Sequence, residues 1–552
     1  MDNLRGHHVV AAIATILVAY LTRAIACFFR HRKLMSKYPG PPYHKLWGHI
    51  LLLGEYRKTK PIRMHPHYLP ALLAEDYNLG PVFLFDTYPA GPAILIVNDP
   101  GLAHEVSTVQ NYPKSQLLGE ALEPVAGPQN LVVMEGALWK KWRAIFNPAF
   151  SMTQLMTLVP LVVDSTMVFV DGLDKFASKN DPFRLEEPAT HLTIDIIGKV
   201  ILNHDFKSQT TQNEYVDAMR AQLTWLRDRT SFNPLHIYNP IRPIINLYYT
   251  WRMRRYLGKL LDARLTARAG NASNTRQRVG IDLALDTYFA EYSRGKGDDM
   301  NLLKMDPEFR QYVIDNFRML LVAGHDTTSS TVAYALYRLS RHPDILAKLR
   351  AEHDKIFGSD PLAAADVLKS NVHLLNKLTY TTAAIQETLR LYTPATSIRQ
   401  GGPHLFIKDP STGDMVSTDG LTIWIESVCL HRSRKIWGRD VHDFRPERFL
   451  SPEISNIDPR TFRPFEKGPR NCIGQELAML EIKIALVLVA RLFDFKAAYD
   501  ELHLLGGDGT LWAKNDRGKQ GVQDVWGDEA YQVLYATAKP RDGMPMRVKR
   551  RV

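Results

Sequence analysis

The longest run of apolar positions lies near the N-terminus. Residues 9–29 are mostly Ala, Ile, Leu, Val and Phe, interrupted chiefly by Thr15, Thr22 and Arg23. A bilayer core about 30 Å thick requires about 20 apolar residues in helical form. The run therefore predicts one membrane-spanning helix, with Arg23 reaching towards the interface. A cleaved signal peptide is the alternative, although the run is long for one and its basic residues follow it instead of preceding it.

Basic residues and prolines follow this predicted anchor. The basic side chains are Arg30, Arg32, Lys33 and Lys37. Their position places everything after the helix in the cytosol. Prolines then fix the backbone in Tyr-Pro-Gly-Pro-Pro, which predicts a stiff hinge. We divide the chain into an anchor with its basic flank at residues 1–37, a hinge at 38–42 and one globular domain at 43–552.

Helical periodicity dominates the globular domain. Residues 307–343 have no internal proline and repeat apolar positions at helical spacing, which predicts an unusually long helix through the core. Two further helices are predicted at residues 380–392 and 475–493. Strands are fewer, because only short segments alternate or lie beside turn residues. They are a hairpin at 81–97, a strand at 421–428 after the turn Asp419-Gly420, and a last strand at 532–538. The predicted fold class is mainly α with small β-sheets.

The charge and the cysteine content of the chain limit the classes of function that it can have. The 552 residues carry a net charge of +11, from 69 Lys and Arg against 58 Asp and Glu. The excess is scattered in short clusters, without a basic stripe and interleaved aromatics, so no nucleic-acid partner is predicted. Three cysteines, Cys27, Cys429 and Cys472, are too few for a disulfide framework. Cys27 and Cys429 lie in apolar stretches where inert burial is expected.

Cys472 lies in a loop of unusual composition. The segment Phe-Glu-Lys-Gly-Pro-Arg-Asn-Cys-Ile-Gly, from Phe465 to Gly474, satisfies Phe-x-x-Gly-x-Arg-x-Cys-x-Gly at every fixed position. It resembles the haem-binding signature of the cytochrome P450 family. The resemblance implies that Cys472 is the thiolate ligand of a haem b iron, that Gly468 and Gly474 allow a tight turn, and that Arg470 pairs with a propionate. The alternative is a structural cysteine beside a basic loop.

A second motif is Glu-x-x-Arg at Glu387 and Arg390. A spacing of three puts both side chains on one helical face, within reach of an ion pair. Chance produces this motif easily, so its place before the Pro-Glu-Arg-Phe segment that contains Arg448 is what matters. By resemblance, Glu387, Arg390 and Arg448 form a buried charge network with a structural role beneath the haem.

The predicted long helix contains a polar cluster, Ala-Gly-His-Asp-Thr-Thr, at residues 323–328. It resembles the family's oxygen-activation motif. The resemblance implies that Gly324 leaves a groove beside the iron, Thr327 bonds to oxygen or its water, and Asp326 relays protons from solvent. The alternative is a helix kink with a solvated Asp-Thr face. His325 is not expected to be an iron ligand.

Three further residues match positions that bind haem propionates in the family. Trp139 and Arg143 form Trp-x-x-x-Arg, whose spacing of four stacks both side chains on one helical face. Arg399 matches a further propionate arginine, although it also fits an ordinary surface arginine.

The resemblance covers nearly the whole chain and implies the cytochrome P450 fold with an N-terminal transmembrane helix. It implies haem-thiolate monooxygenation, in which one atom of O2 enters an apolar small molecule and the other leaves as water. The substrate would reach the pocket from lipid, past lids at residues 112–130 and 232–256. The sequence as a whole is similar to fungal enzymes of secondary metabolism, such as those of polyketide pathways.

No flavin or nicotinamide domain fits beside the haem domain, so NADPH electrons are expected from a separate reductase in the endoplasmic reticulum membrane. Lys140, Lys141 and Lys467 are candidates for its docking face, or are scattered solvated lysines. A haem-thiolate isomerase or dehydratase and a non-catalytic membrane-anchored haem binder are the alternatives. The intact oxygen motif favours the monooxygenase.

Overall fold

The fold is mainly helical in this computed structural model. It describes residues 2–226, 238–270, 279–292, 305–505 and 522–551. Its α-helices are α1 (Asp2–Met35), α2 (Ile50–Thr59), α3 (Tyr68–Asp76), α4 (Pro100–His104), α5 (Gln116–Ala126), α6 (Gly136–Phe146), α7 (Met152–Lys179), α8 (Glu186–Leu202), α9 (Glu214–Thr224), α10 (Ile241–Gly270), α11 (Gly280–Tyr292), α12 (Pro307–Arg341), α13 (Pro343–Phe357), α14 (Ala364–Ser370), α15 (Thr379–Leu391), α16 (Ser427–His431), α17 (Arg434–Trp437) and α18 (Gln475–Val489).

Short strands form four small sheets in the described part of the chain. The strands are β1 (Val82–Asp86), β2 (Ala93–Val97), β3 (Phe183–Arg184), β4 (Ser397–Gln400), β5 (Phe406–Lys408), β6 (Met415–Ser417), β7 (Thr422–Ile425), β8 (Phe493–Ala497), β9 (Gln532–Leu534), β10 (Ala538–Pro540) and β11 (Pro545–Arg550). The largest sheet has the order β1-β2-β7-β4, and β3-β11-β8, β9-β10 and β5-β6 form the others. The predicted fold class, mainly α with small sheets, is confirmed.

Helix α12 passes through the centre of the core. It begins where Asp306 caps it, accepting the Phe309 amide at 2.8 Å, with Pro307 in the first turn. Residues 313–337 are buried except Ala323, Gly324 and Thr327, which are partly exposed. These three lie on one face because they are spaced one and four residues apart. The central helix is therefore open to its surroundings along a single short stripe.

The elements that were predicted from long stretches of periodic sequence are confirmed. Helix α12 matches the predicted helix at 307–343, and β1 and β2 form the predicted hairpin at 81–97. The strand predicted at 421–428 is wrong in its second half. There Glu426 accepts the Val428 amide at 3.0 Å and begins helix α16. The turn at Asp419-Gly420 does not join a hairpin, because β7 pairs with β2 and β4 whereas β6 pairs with β5.

Helix α1 contains the whole predicted anchor and continues to Met35. Its span from Ala11 to Met35 is long and apolar enough to cross a membrane. Large apolar side chains along it are exposed, including Ile16 at 68% and Tyr20 at 70%. Helix α7 has similar length and apolar character, but half of that stretch is buried in the core. A long apolar helix with no protein cover is typical of a membrane segment.

The last turns of α1 are bonded to the largest sheet. Asp86, at the end of β1, accepts Arg32 Nη1 at 2.5 Å and the Tyr43 hydroxyl at 2.8 Å, and it lies 3.1 Å from His31 Nε2. Asp86 is fully buried and Arg32 is 3% exposed. We call His31, Arg32, Tyr43 and Asp86 the anchor clasp. Met35 packs into the same core as Leu84 and Ile423, so the clasp is reinforced by apolar contact.

The residues of the predicted hinge also lie against this sheet. Pro39 accepts the Leu84 amide at 2.7 Å, and the Tyr38 hydroxyl donates to the Ser417 carbonyl at 3.0 Å. A Cβ on Gly40 would lie 2.8 Å from the Leu84 carbonyl oxygen, so only glycine allows this approach. The segment 38–42 is therefore an extension of the sheet edge as well as a connection.

Candidate active site

The cysteine loop connects Phe465 to helix α18. The Cys472 amide donates to the Phe465 carbonyl at 2.9 Å, which closes the loop. Gly468 has a positive φ of 80°, and a Cβ there would lie 2.5 Å from Thr108 Oγ1. Gly474 is the residue immediately before α18 and caps it. The loop thus presents Cys472 just ahead of a helix N-terminus, where the helix dipole favours a thiolate.

Cys472 is an exposed residue, although protein surrounds its thiol on most sides. Burial raises its pKa, whereas the Gly474 backbone and the Arg143 charge act in the opposite direction. A metal cation at the sulfur would supply the remaining stabilisation of the thiolate. The other described cysteines differ from it: Cys27 lies on the exposed anchor helix and Cys429 is buried.

Arg143 and Arg470 hold the loop against helix α6. Arg143 donates to the Asn471 carbonyl at 2.9 Å and to its side-chain oxygen at 3.0 Å. Arg470 pairs with Glu135 at 2.7 Å and donates to the Met134 carbonyl at 2.8 Å. Its guanidinium carbon lies 4.6 Å from the centroid of the Trp139 ring. The predicted residues Trp139, Arg143 and Arg470 are therefore brought together beside the cysteine.

Arg399 on strand β4 is fully buried. It donates from Nη1 to the Tyr112 carbonyl at 2.8 Å, while its Nε and Nη2 find no hydrogen-bond partner among the described residues. Burial lowers its pKa to about 10. A surface arginine would have solvent around these nitrogens. Arg399 is instead a buried cation with two donors available, which fits an anionic ligand.

Lys114 is a residue that sequence reasoning missed. It pairs with Arg399 in an isolated β-bridge. Burial, together with the charges of Arg399 and Arg470, lowers its pKa to about 7. No motif marks this lysine in the sequence. Its neighbours come from β4 and the cysteine loop, so only the tertiary fold gathers the three cations.

Asp326 and Thr327 lie on the central helix with opposite exposure. Thr327 belongs to the partly exposed stripe, and its hydroxyl donates to the Ala323 carbonyl at 2.9 Å. Asp326 is buried and accepts the Thr537 hydroxyl at 2.5 Å. Burial acts to raise the pKa of Asp326, but the Lys539 ammonium and the Thr537 hydroxyl outweigh it and hold that pKa below the usual range. Asp326 is therefore ionised in the resting structure.

Gly324 also has a packing role, in addition to the predicted groove. A Cβ on it would lie 2.6 Å from Ile197 Cγ1 on helix α8. Ile197 is a buried core residue. The glycine therefore permits the close approach of α12 and α8, which fixes the position of Asp326 and Thr327.

Glu387, Arg390 and Arg448 meet in the interior. Arg390 Nε lies 2.7 Å from Glu387 Oε2, and Arg448 Nε lies 3.4 Å from Glu387 Oε1. Arg390 also donates to the His431 and Val441 carbonyls at 2.7 and 2.8 Å. The three residues tie α15 to the segment that leads to the cysteine loop.

The side chains gathered around Cys472 fit a haem. Arg399 is a buried cation with two donors that lack a partner among the described residues. The Cys472 thiol lies before a helix N-terminus, and the buried helix α12 has one partly exposed stripe. A planar group with two carboxylates and a thiophilic metal would satisfy each of them. The residues present therefore fit a haem held by a cysteine thiolate.

Comparisons with known proteins agree with this class. The family model described as Cytochrome P450 matches residues 38–505. The chain is 36% identical over 541 residues to cytochrome P450 monooxygenase polC of Polytolypa hystricis, covering 97% of this chain and 93% of that protein. It is 35% identical to cytochrome P450 monooxygenase acrF of Aspergillus aculeatus, covering 88% and 98%. The crystal structure of the cytochrome P450DA heme domain matches with a TM-score of 0.68 at 20% identity, covering 93% of this chain and 98% of that one.

The chain belongs to the cytochrome P450 family. Its function is that of a monooxygenase, an oxidoreductase whose haem iron is held by a cysteine thiolate. The predictions of family, fold and enzyme class are confirmed.

Proposed function

We propose that Cys472 is the axial thiolate and that four residues bind the propionates of haem b, namely Arg399, Arg143, Arg470 and Trp139. Phe465, Gly468, Arg470 and Gly474 form and support the cysteine loop. The observation that carries this proposal is Arg399, because its two unpartnered donors are buried beside two further cations. Leaving such donors unmet costs about 1–3 kcal/mol per group, so a ligand that pairs with them is favoured.

Asp326 and Thr327 manage protons in this proposal. The haem, when bound, supplies the activation of dioxygen. Thr327 lies on the open stripe of α12, where its hydroxyl can reach a ligand, and Asp326 is buried one residue before it. A carboxylate that is ionised at rest can accept a proton that comes from solvent and pass it to the Thr327 hydroxyl.

We infer that the catalytic domain is anchored at the cytosolic face of the endoplasmic reticulum membrane. The exposed apolar helix α1 and the basic residues after it support this topology. NADPH electrons then come from a separate membrane reductase. Lys140 and Lys141 are exposed on α6 next to the haem-binding residues, and Lys467 lies partly exposed in the cysteine loop. These positions suit an acidic partner.

The substrate is proposed to be an apolar small molecule of fungal secondary metabolism, such as a polyketide, oxidised by hydroxylation or epoxidation. The similarity to fungal monooxygenases supports this class. The predicted lid at 112–130 begins by pairing with β4 and continues as helix α5. Part of the second predicted lid, residues 227–237, lies outside the described residues.

The first test is the absorption spectrum of the reduced, carbon-monoxide-bound full-length protein. A strongly red-shifted Soret band that is lost in Cys472→Ala is the expected result, because only thiolate ligation gives that shift. Cys429→Ala is the matched control and should keep the band. A band typical of histidine ligation, or loss of the band only in Cys429→Ala, would overturn the assignment.

A further inference from the structure

A buried charge cluster surrounds the carboxylate of Asp326. Lys539 on strand β10 places its Nζ 2.9 Å from Asp326 Oδ1 and 2.5 Å from Glu186 Oε1 on helix α8. Its third contact is Ser329 Oγ at 3.0 Å. The charged side chains are at most 5% exposed. We call Asp326, Glu186 and Lys539 the relay cluster, in which one ammonium serves two carboxylates away from bulk water.

The charges of the relay cluster suit a carboxylate that changes its protonation state. With all three groups ionised, one ammonium faces two carboxylates and the cluster carries an excess negative charge. When Asp326 accepts a proton, Lys539 still has Glu186 as its partner. A buried ammonium left alone would cost several kcal/mol. Glu186 therefore makes protonation of Asp326 possible without leaving an unpaired charge.

A small cavity adjoins this cluster. Its volume is about 20 Å³, and Asp326, Glu186, Thr190 and Arg220 contribute to its lining. A water requires about 10–15 Å³ of such volume and two to four polar partners. The cavity therefore has room for a single water molecule and is bordered by these polar side chains, although most of its accessible surface is apolar.

Arg220 connects the cavity to the surface. Its Nη1 lies 2.8 Å from His191 Nε2, and its Nη2 pairs with Glu187. The side chains of His191 and Glu187 are 26% and 20% exposed. Arg220 and Glu187 balance each other's charge. His325, the remaining titratable neighbour of Asp326 on α12, is neutral because burial lowers its pKa to about 4.

We propose that Lys539 is a positioning residue for proton delivery, and that protons reach Asp326 through one water in this cavity, entering past His191 and Glu187. The water gives a proton to the Asp326 carboxylate and regains one from the solvent side. Asp326 returns to its ionised form when it passes the proton towards Thr327. Lys539 stays in place throughout because Glu186 holds it. This inference rests on the proposed role of Asp326.

The first test reads the protonation of Asp326 directly, by infrared absorption of protonated carboxyl groups in the haem-loaded full chain. Lys539→Met removes the cation that keeps Asp326 ionised, so a new protonated-carboxyl band is expected near neutral pH. The band should be absent in Lys539→Arg and should disappear in Lys539→Met combined with Asp326→Asn. The control is Lys199→Gln, because Lys199 is a lysine of α8 that is also paired to an aspartate. This variant should leave the spectrum unchanged.

The second test measures proton delivery with NADPH, a membrane reductase and no added substrate. In Glu186→Gln we expect the rate of oxygen reduction to water to fall about tenfold, with peroxide released instead. This loss is smaller than the about hundredfold or greater loss expected when a proton-transfer group is removed. The loss of water formation in this variant should become larger as pH rises. A purely structural role would move neither the peroxide fraction nor its pH profile. No new carboxyl band in Lys539→Met, with an intact thiolate Soret band, would overturn this inference alone; loss of that Soret band from the parent protein would overturn the proposed haem site.

Discussion

Glu387 and Arg390 form a two-pronged ion pair, with N–O distances of 2.7 and 2.8 Å, in a place where both side chains have no solvent exposure. Arg390 is held further by three backbone carbonyls, from His431, Val441 and Asp443. The pair is therefore a junction between helix α15 and the chain that approaches the cysteine loop.

Removal of the Glu387 charge should strongly destabilise the folded protein. Glu387→Gln leaves Arg390 buried without its carboxylate and Arg448 with Asp440 as its remaining carboxylate partner, and we expect the free energy of unfolding to fall by about 3–5 kcal/mol. Chemical denaturation of the haem-loaded protein measures this change. Asp164→Asn breaks the surface pair with Lys369 and should cost at most about 1 kcal/mol. Equal losses in the two variants would contradict a special role for the buried network.

Lys114 predicts a pH-dependent stability of the haem-free chain. Its pKa is about 7 in the folded protein against a usual value of 10.5, so the unfolded chain binds the extra proton between these values. Stability should therefore rise as pH increases from about 7 to about 10. Lys114→Met should remove this rise. Haem loading should also reduce it, since a propionate supplies the missing negative charge; an unchanged slope in Lys114→Met would contradict the assignment.

Arg399 should control haem retention. Arg399→Gln removes the two free donors, and we expect haem to transfer faster to a scavenging apoprotein, by about tenfold for the loss of one charge-assisted hydrogen bond. Arg439→Gln, a substitution at an exposed arginine, is the control. Equal transfer rates for both variants would argue that Arg399 has only a packing role.

The exposed lysines of α6 predict how reduction depends on salt. Lys140→Glu combined with Lys141→Glu should slow electron transfer from the reductase and invert its dependence on ionic strength. Lys141 also pairs with Glu291 at 2.8 Å, so Glu291→Gln serves as a control for the loss of that pair. Stopped-flow reduction under carbon monoxide measures both. Unchanged reduction in the double variant would rule out this face.

The anchor clasp predicts protease resistance near the start of the globular domain. Asp86→Asn leaves Arg32 buried without a carboxylate, which should loosen the end of α1 from the sheet. Trypsin should then cleave at Lys37 faster than in the parent protein. Asp164→Asn should leave the cleavage rate unchanged, and equal rates in all three proteins would contradict the clasp.

The sequence predicted those features that depend on the spacing of residues close together in the chain. The long apolar period at 307–343 predicted α12, and a spacing of three predicted that Glu387 and Arg390 share a face. Lys539 lies 213 positions after Asp326 in a short strand without any motif, so only the folded chain brings the two together. Lys114 was missed for the same reason. Strand β11 was also missed, since its sequence is basic and its core contacts come from β8 and β3.

The anchor clasp has a mechanical consequence. Because Asp86 binds both His31 and Arg32, and Met35 packs beneath them, helix α1 cannot swivel freely against the sheet. In a bilayer the helix would behave as a lever arm fixed to the enzyme. A transmembrane helix adapts to thinner or thicker bilayers by tilting. A change in lipid thickness would then become a rotation of the whole enzyme, which would turn its pocket entrance towards or away from the headgroups.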